Sequence, residues 1–248
     1  MEGRATRAIV MVINEQLKPL ASGFWTPLRR RDGLVVMLTF VTGSIDAIGL
    51  LRLGGVFTSV MTGNMVLLGV AVGKHDAAIA LHTGVAFIAY IVGSFLGARV
   101  AGHAEGDQHL WPRPIVNALG VELVILVAFG AWWEVVGGHP NTTIAYCLLA
   151  FNAVALGVQS AAVLRFGISG LSTTYLTGTL TQFVAGLTKR GAPIQARSAL
   201  ILLALIGGAG AGASAALDVP RLAPLVPIGA LTVVVVGGWS FFHHGETS

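Results

Sequence analysis

Six stretches of the chain are each long and apolar enough to cross a bilayer: 34–51, 79–98, 114–133, 142–164, 198–217 and 222–242. A helix needs roughly 20 mostly apolar residues to span the hydrocarbon core. Only two charges interrupt the six, Asp46 and Glu122. A soluble domain carries about 25% charged residues. This 248-residue chain carries 10%, with 54% hydrophobic residues and 33 glycines, and glycine is commoner in membrane helices than in soluble ones. The mean hydropathy is +0.79. The expected fold class is an all-α polytopic membrane protein whose main partner is the lipid bilayer.

Two further stretches, 56–73 and 171–188, are uncharged but polar for membrane helices. The first holds Thr58, Ser59, Thr62 and Asn64; the second holds Ser172, Thr173, Thr174, Tyr175, Thr177, Thr179, Thr181 and Gln182. Each follows a glycine-containing turn. They fit either short re-entrant or broken helices beside six full spans, or full spans in a protein of eight. Gly55, Thr58, Thr62 and Gly63 recur as Gly170, Thr173, Thr177 and Gly178 at a constant offset of 115 residues, with Ser59 opposite Thr174. Upstream, Gly43 and Gly157 match at an offset of 114. Two weakly similar halves, 34–135 and 142–242, are therefore expected. Three spans per half give the halves opposite topology, the inverted-repeat plan of many secondary transporters.

Charge placement sets the orientation. Residues 1–32 read as a basic cytoplasmic arm, because the apolar run Ala8–Ile13 is too short for a secretory signal. The single transmembrane domain then covers 33–242, and 243–248 forms a cytoplasmic tail. With the N-terminus inside, eight spans put ten Lys/Arg inside and five outside, whereas six spans put twelve inside and three outside. The positive-inside rule favours six. Both arrangements leave both termini in the cytoplasm. Trp111, Trp132, Trp133 and Trp239 fall near span ends, as an interfacial aromatic belt requires. The basic residues serve topology in this reading, so nucleic acid is not an expected partner.

Thr42-Gly43-Ser44-Ile45-Asp46-Ala47, Val56-Phe57, Met61-Thr62-Gly63-Asn64, Gln159-Ser160 and Ser172-Thr173-Thr174-Tyr175-Leu176-Thr177-Gly178 together resemble the YoaK family of bacterial membrane proteins, which is defined by a domain of unknown function. The resemblance covers nearly all of 34–242. It implies a location in the bacterial cytoplasmic (inner) membrane, and it supplies no catalytic residue, cofactor or substrate.

The residues themselves nominate a site. An ionisable group inside a span is expensive and by default faces the bundle interior or a water-filled cavity. Asp46 shares one helix face with Thr39 and Thr42, and it is the leading candidate for binding a polar or cationic solute or for proton or ion coupling. Its structural alternative is a fixed pair with Arg52 or a threonine hydroxyl. Glu122, well inside the third span near Asn117, is the second candidate for coupling. The collective substrate-binding candidates are Asp46, Thr58, Thr62, Gly63, Asn64, Gln159, Thr173, Thr174, Thr177 and Gly178. Glycines permit close backbone approach or a helix break, and freed backbone groups with hydroxyls can coordinate a solute. The competing role is helix packing through small residues and Ser/Thr hydrogen bonds. Gln159 and Asn152 share a helix face. The pairs Gly69/Gly73, Gly93/Gly97 and Gly208/Gly212 are close-packing motifs, within one chain or between copies, so a homo-oligomer stays open.

No phosphate-binding loop, nucleophile elbow or metal-ligand spacing occurs in the sequence. An enzyme is not expected, nor a cofactor or metal. The expected function is secondary transport of a small polar or charged solute. The alternative is a non-transporting membrane assembly or sensor protein that uses the polar segments for helix packing.

Overall fold

The computed structural model describes residues 27–102, 113–165, 176–187 and 196–245. Within them lie eight α-helices: α1 (Pro27–Arg52), α2 (Met61–Lys74), α3 (Ala77–Ala101), α4 (Arg113–Val135), α5 (Thr142–Leu164), α6 (Leu176–Leu187), α7 (Ala196–Asp218) and α8 (Leu225–Gly245). A 3-10 turn, Pro220–Leu222, joins the last two. Six of the helices are long and apolar enough to cross a membrane: α1, α3, α4, α5, α7 and α8. They coincide with the six stretches read from hydropathy. The first begins earlier than expected, since α1 starts at Pro27, inside the stretch assigned to the arm.

The two polar stretches form short helices. The 14 residues of α2 extend about 21 Å and the 12 of α6 about 18 Å, both short of the roughly 30 Å hydrocarbon core. Helix directions explain why neither has to cross it. On α1 and α7, Phe40 lies against Gly208 and Ser44 against Gly212, so these helices run the same way. On α3 and α5, Val154 lies against Gly93 and Val158 against Gly97, so these also run the same way. The start of α3 meets the end of α1, because His82 abuts Gly54. The start of α5 is level with both, because Tyr146 stacks on His82 at a centroid distance of 4.1 Å. Hence α1 ends on the face where α3 and α5 begin, and α2 leaves and returns to that face. By the same logic α5 ends on the face where α7 begins. Among the described residues six helices are long and apolar enough to span, and α2 leaves and returns to one face.

Glycine makes the crossings possible. A Cβ at Gly43, Gly208 or Gly212 would collide with backbone across the α1–α7 interface, and one at Gly93, Gly97 or Gly157 would collide with backbone across α3–α5. Close backbone approach is the way membrane helices gain packing without a hydrophobic drive. The pairs Gly93/Gly97 and Gly208/Gly212 are separated by the same 115 residues as the polar motifs. Enclosure repeats in the same order: 61, 22 and 39% of the apolar window is buried in α1, α3 and α4, against 67, 22 and 33% in α5, α7 and α8.

Helix ends are capped by local chemistry. Asp76 accepts from the Ala78 and Ile79 amides to start α3, and Asn141 accepts from the Ile144 amide to start α5, satisfying donors a helix start leaves unpaired. Arg52 donates through Nε (3.1 Å) and Nη2 (2.6 Å) to the Ala216 carbonyl, placing a cation at the C-terminal end of α7. Trp133 is not an interfacial belt residue: it is fully buried, and its indole N–H donates to the Pro220 carbonyl at 2.7 Å. Trp239 is exposed, and Trp111 lies outside the described residues.

Candidate functional site

The helix α1 ends at Arg52, and the chain then turns on two residues with positive φ, Gly54 (104°) and Gly55 (73°). Glycine adopts this region at no steric cost. Gly54 has a second constraint, since a Cβ there would collide with the His82 ring. Residues 53–60 are non-helical and run back along α1 to the level of Asp46, about 9 Å below the end of that helix. There the loop's polar groups are met by one carboxylate. Oδ1 of Asp46 accepts from the Thr58 amide at 2.8 Å, the Thr58 hydroxyl at 2.7 Å and the Ser59 amide at 2.9 Å. Oδ2 accepts from the Ser59 hydroxyl.

Non-helical backbone at membrane depth is tolerated only where its polar groups are satisfied, and Asp46 does this for the deepest part of the loop. It also stands at the start of α2, where a negative charge is favoured by the helix dipole. Asn64, in the first turn of α2, completes the closure. Its side-chain oxygen accepts from the Phe57 amide at 3.0 Å and its amide nitrogen donates to the Phe57 carbonyl at 2.6 Å. Thr58, Ser59, Asn64 and Asp46 are all buried. Gly49 gives the loop room, with Thr58 Cγ2 3.0 Å and the Val56 oxygen 3.3 Å from where its Cβ would be.

The structure thus brings Asp46, Thr58 and Asn64 into one cluster and adds Ser59, which belonged to the polar stretch but not to the nominated set. Its signal was the pairing with Thr174 in the repeat. Gly63 packs against Val60 and Phe57 of its own loop, and Thr62 is exposed. Gln159 is held elsewhere on α1, its amide donating to the Thr42 hydroxyl at 2.7 Å and the Leu38 carbonyl at 3.3 Å. Thr42 is one turn before Asp46, so the two lie along one face of α1. In the second half, Thr173 and Thr174 lie outside the described residues. Thr177 and Gly178 are exposed, and the Cβ position of Gly178 has nothing within 4 Å. A cavity of about 390 Å³, lined by Val116, Asn117, Gly120, Val124, Val235 and Trp239 between α4 and α8, touches neither motif.

Glu122 is different from Asp46. It is fully buried in α4, and both carboxyl oxygens lack a hydrogen-bond partner among the described residues. Asn152 of α5 is buried in the same way with both side-chain polar atoms unpartnered, as is Oε1 of Gln159. The signal for Asn152 in the sequence was the helix face it shares with Gln159.

Comparison with known proteins places the chain among transmembrane proteins of unknown function. The family described as "Protein of unknown function (DUF1275)" matches residues 34–237. The chain is similar to the UPF0700 transmembrane protein YoaK of Bacillus subtilis (strain 168), at 34% identity over 160 residues, which is 64% of this chain and 68% of that protein. No solved structure matches.

Proposed function

The chain belongs to the DUF1275 family of YoaK-like membrane proteins, and on that premise we propose that it is a secondary transporter of a small polar or charged solute, built from two inverted halves. The first half is α1 to α4 and the second α5 to α8. In each, a span is followed by a short polar helix that dips in and returns, and then by two more spans. The halves are oppositely oriented, and each half's first span packs on the other half's second. One observation carries this reading: the same glycine-mediated parallel crossing occurs twice, α1 on α7 and α3 on α5. Inverted repeats with broken helices near the bilayer midplane are how many secondary transporters build a binding site and alternate its access.

In this reading the short helices are the solute-facing elements. The Asp46-held loop is the fixed wall of the site, and the exposed Thr62 and Thr177 are the hydroxyls free to meet a solute. The orientation has both termini in the cytoplasm of a bacterial cell. Arg52, Lys74 and Arg221 are then external, and Arg99, Arg113, Arg165 and Arg197 internal, in line with the positive-inside rule.

The test is uptake. Purified protein in proteoliposomes, screened against pooled metabolites under an imposed ion gradient, should accumulate at least one polar solute above protein-free vesicles. Thr62→Val with Thr177→Val should reduce that uptake while the protein stays monodisperse. Absence of uptake from every pool, under both proton and sodium gradients, leaves the assembly or sensor reading in its place.

A further inference from the structure

Two carboxyl groups lie inside the spans, and their surroundings are opposite. Asp46 accepts four hydrogen bonds, so its charge is matched by fixed donors. Among the described residues Glu122 accepts none. Its own helix surrounds it with the buried side chains of Ala118, Leu119 and Leu126. Asn152, on the antiparallel neighbour α5, offers a fully buried amide whose oxygen and nitrogen also lack partners. Similar spacing from the turn that joins α4 and α5 puts the two side chains within about one helical turn of the same depth.

Among the described residues no counter-charge is bonded to Glu122. The elements packed against α4 are α3, α5, α8 and the 3-10 turn. Their described titratable groups each have other surroundings. On α3, His82 Nδ1 is bonded to the Ala78 carbonyl, the Tyr90 hydroxyl to Ser94 and Ser160, and Arg99 lies over the Phe95 ring. On α5, Tyr146 stacks on His82 and Cys147 is exposed. Arg221 of the turn lies beside Gly137. A buried ion without partner or donor is far more costly than a buried neutral acid.

We propose that Glu122, with Asn152, forms a proton-binding site in the bundle core, separate from the Asp46 cluster. Glu122 is a carboxylic acid while α4 and α5 are closed. When the helices part and water enters, the O–H bond breaks heterolytically, the proton leaves to water and the carboxylate remains. Glu122 and Asn152 are not hydrogen-bonded to each other in this structure; brought within reach, the amide would accept from the acid through its oxygen and donate to the carboxylate through its nitrogen. That the proton couples to solute movement rests on the transport reading; proton binding itself does not.

The test uses the full chain in lipid nanodiscs and dicyclohexylcarbodiimide, an apolar reagent that adds to a protonated carboxyl in an apolar site and leaves a stable N-acylurea. Intact mass and peptide mapping should give one adduct, on Glu122. Its rate should fall about tenfold per pH unit once the carboxyl ionises. Glu122→Gln should abolish the adduct, and Asn152→Leu should keep it but displace the pH at which the rate falls. Labelling at Asp46, or none at Glu122 at any pH in folded protein, overturns the proposal. So does labelling slowed by sodium chloride but not by choline chloride at fixed pH, which identifies a metal cation site instead. Labelling as expected with no uptake in proteoliposomes sinks the transport reading and leaves the proton site standing.

Discussion

Asp46 and Asn64 hold the re-entrant loop through side chain to loop hydrogen bonds, so their truncation should loosen α2 rather than unfold the bundle. Removing the acceptor of a buried donor costs roughly 1–3 kcal/mol, and more where a charge is involved. Asp46→Ala strands two amides and two hydroxyls and should be the most damaging single truncation in the loop. Asp46→Asn keeps one acceptor and should cost less. Thermal unfolding in detergent should rank the wild type above Asn64→Ala and Asp46→Asn, and those above Asp46→Ala. An Asp46→Ala variant as stable as wild type would contradict the clamp. That Asp46 mattered was legible from a lone acid in a span. Which of its alternatives held was not, because the Thr58 and Ser59 donors reach it only after two left-handed glycines turn the chain back.

The helices were legible as elements, since hydropathy over 20 residues is a strong local signal. The choice between six and eight spans turned on whether α2 and α6 cross, and their own composition could not decide it. The start of α3 beside the end of α1 decides it for α2. A cysteine at Lys74, the exposed last residue of α2, in a Cys147→Ala background, should react with an impermeant thiol reagent from outside intact cells. Protection there, with reaction only after lysis, would reverse the proposed orientation. Lys74 is a better probe than Asp76, whose side chain caps α3. Glycines within one helix should also separate sharply. Gly208 meets the Phe40 backbone, whereas Gly207 has nothing within 4 Å of its Cβ position. Gly208→Leu should force α1 and α7 apart and abolish recovery of monodisperse protein, while Gly207→Leu should be nearly neutral. Equal behaviour of the two would mean that α1 and α7 do not cross there.

At the scale of the whole molecule, neither half has a core of its own, because α1 buries against α7 and α3 against α5. Fragments 1–138 and 139–248, divided in the turn between α4 and α5, should co-purify when expressed together. Each alone should be degraded, and a stable lone half would contradict the interlocked arrangement. Hydropathy, a property of neighbouring residues, was enough to establish from the sequence a helical membrane protein, its six long apolar stretches and its two polar ones. The recurrence of Gly43 as Gly157, and of the Thr-Gly motif, raised the expectation of two related halves. Partner choice is a property of residues far apart in the chain, and only the tertiary structure decided it. It matched the glycine faces of α1 and α7, and of α3 and α5, and turned α2 back to the face where α1 ends. It also surrounded Asp46 with donors while leaving Glu122 without one. Two carboxyls that read alike in the sequence differ because the backbone brings amides to one and apolar side chains to the other.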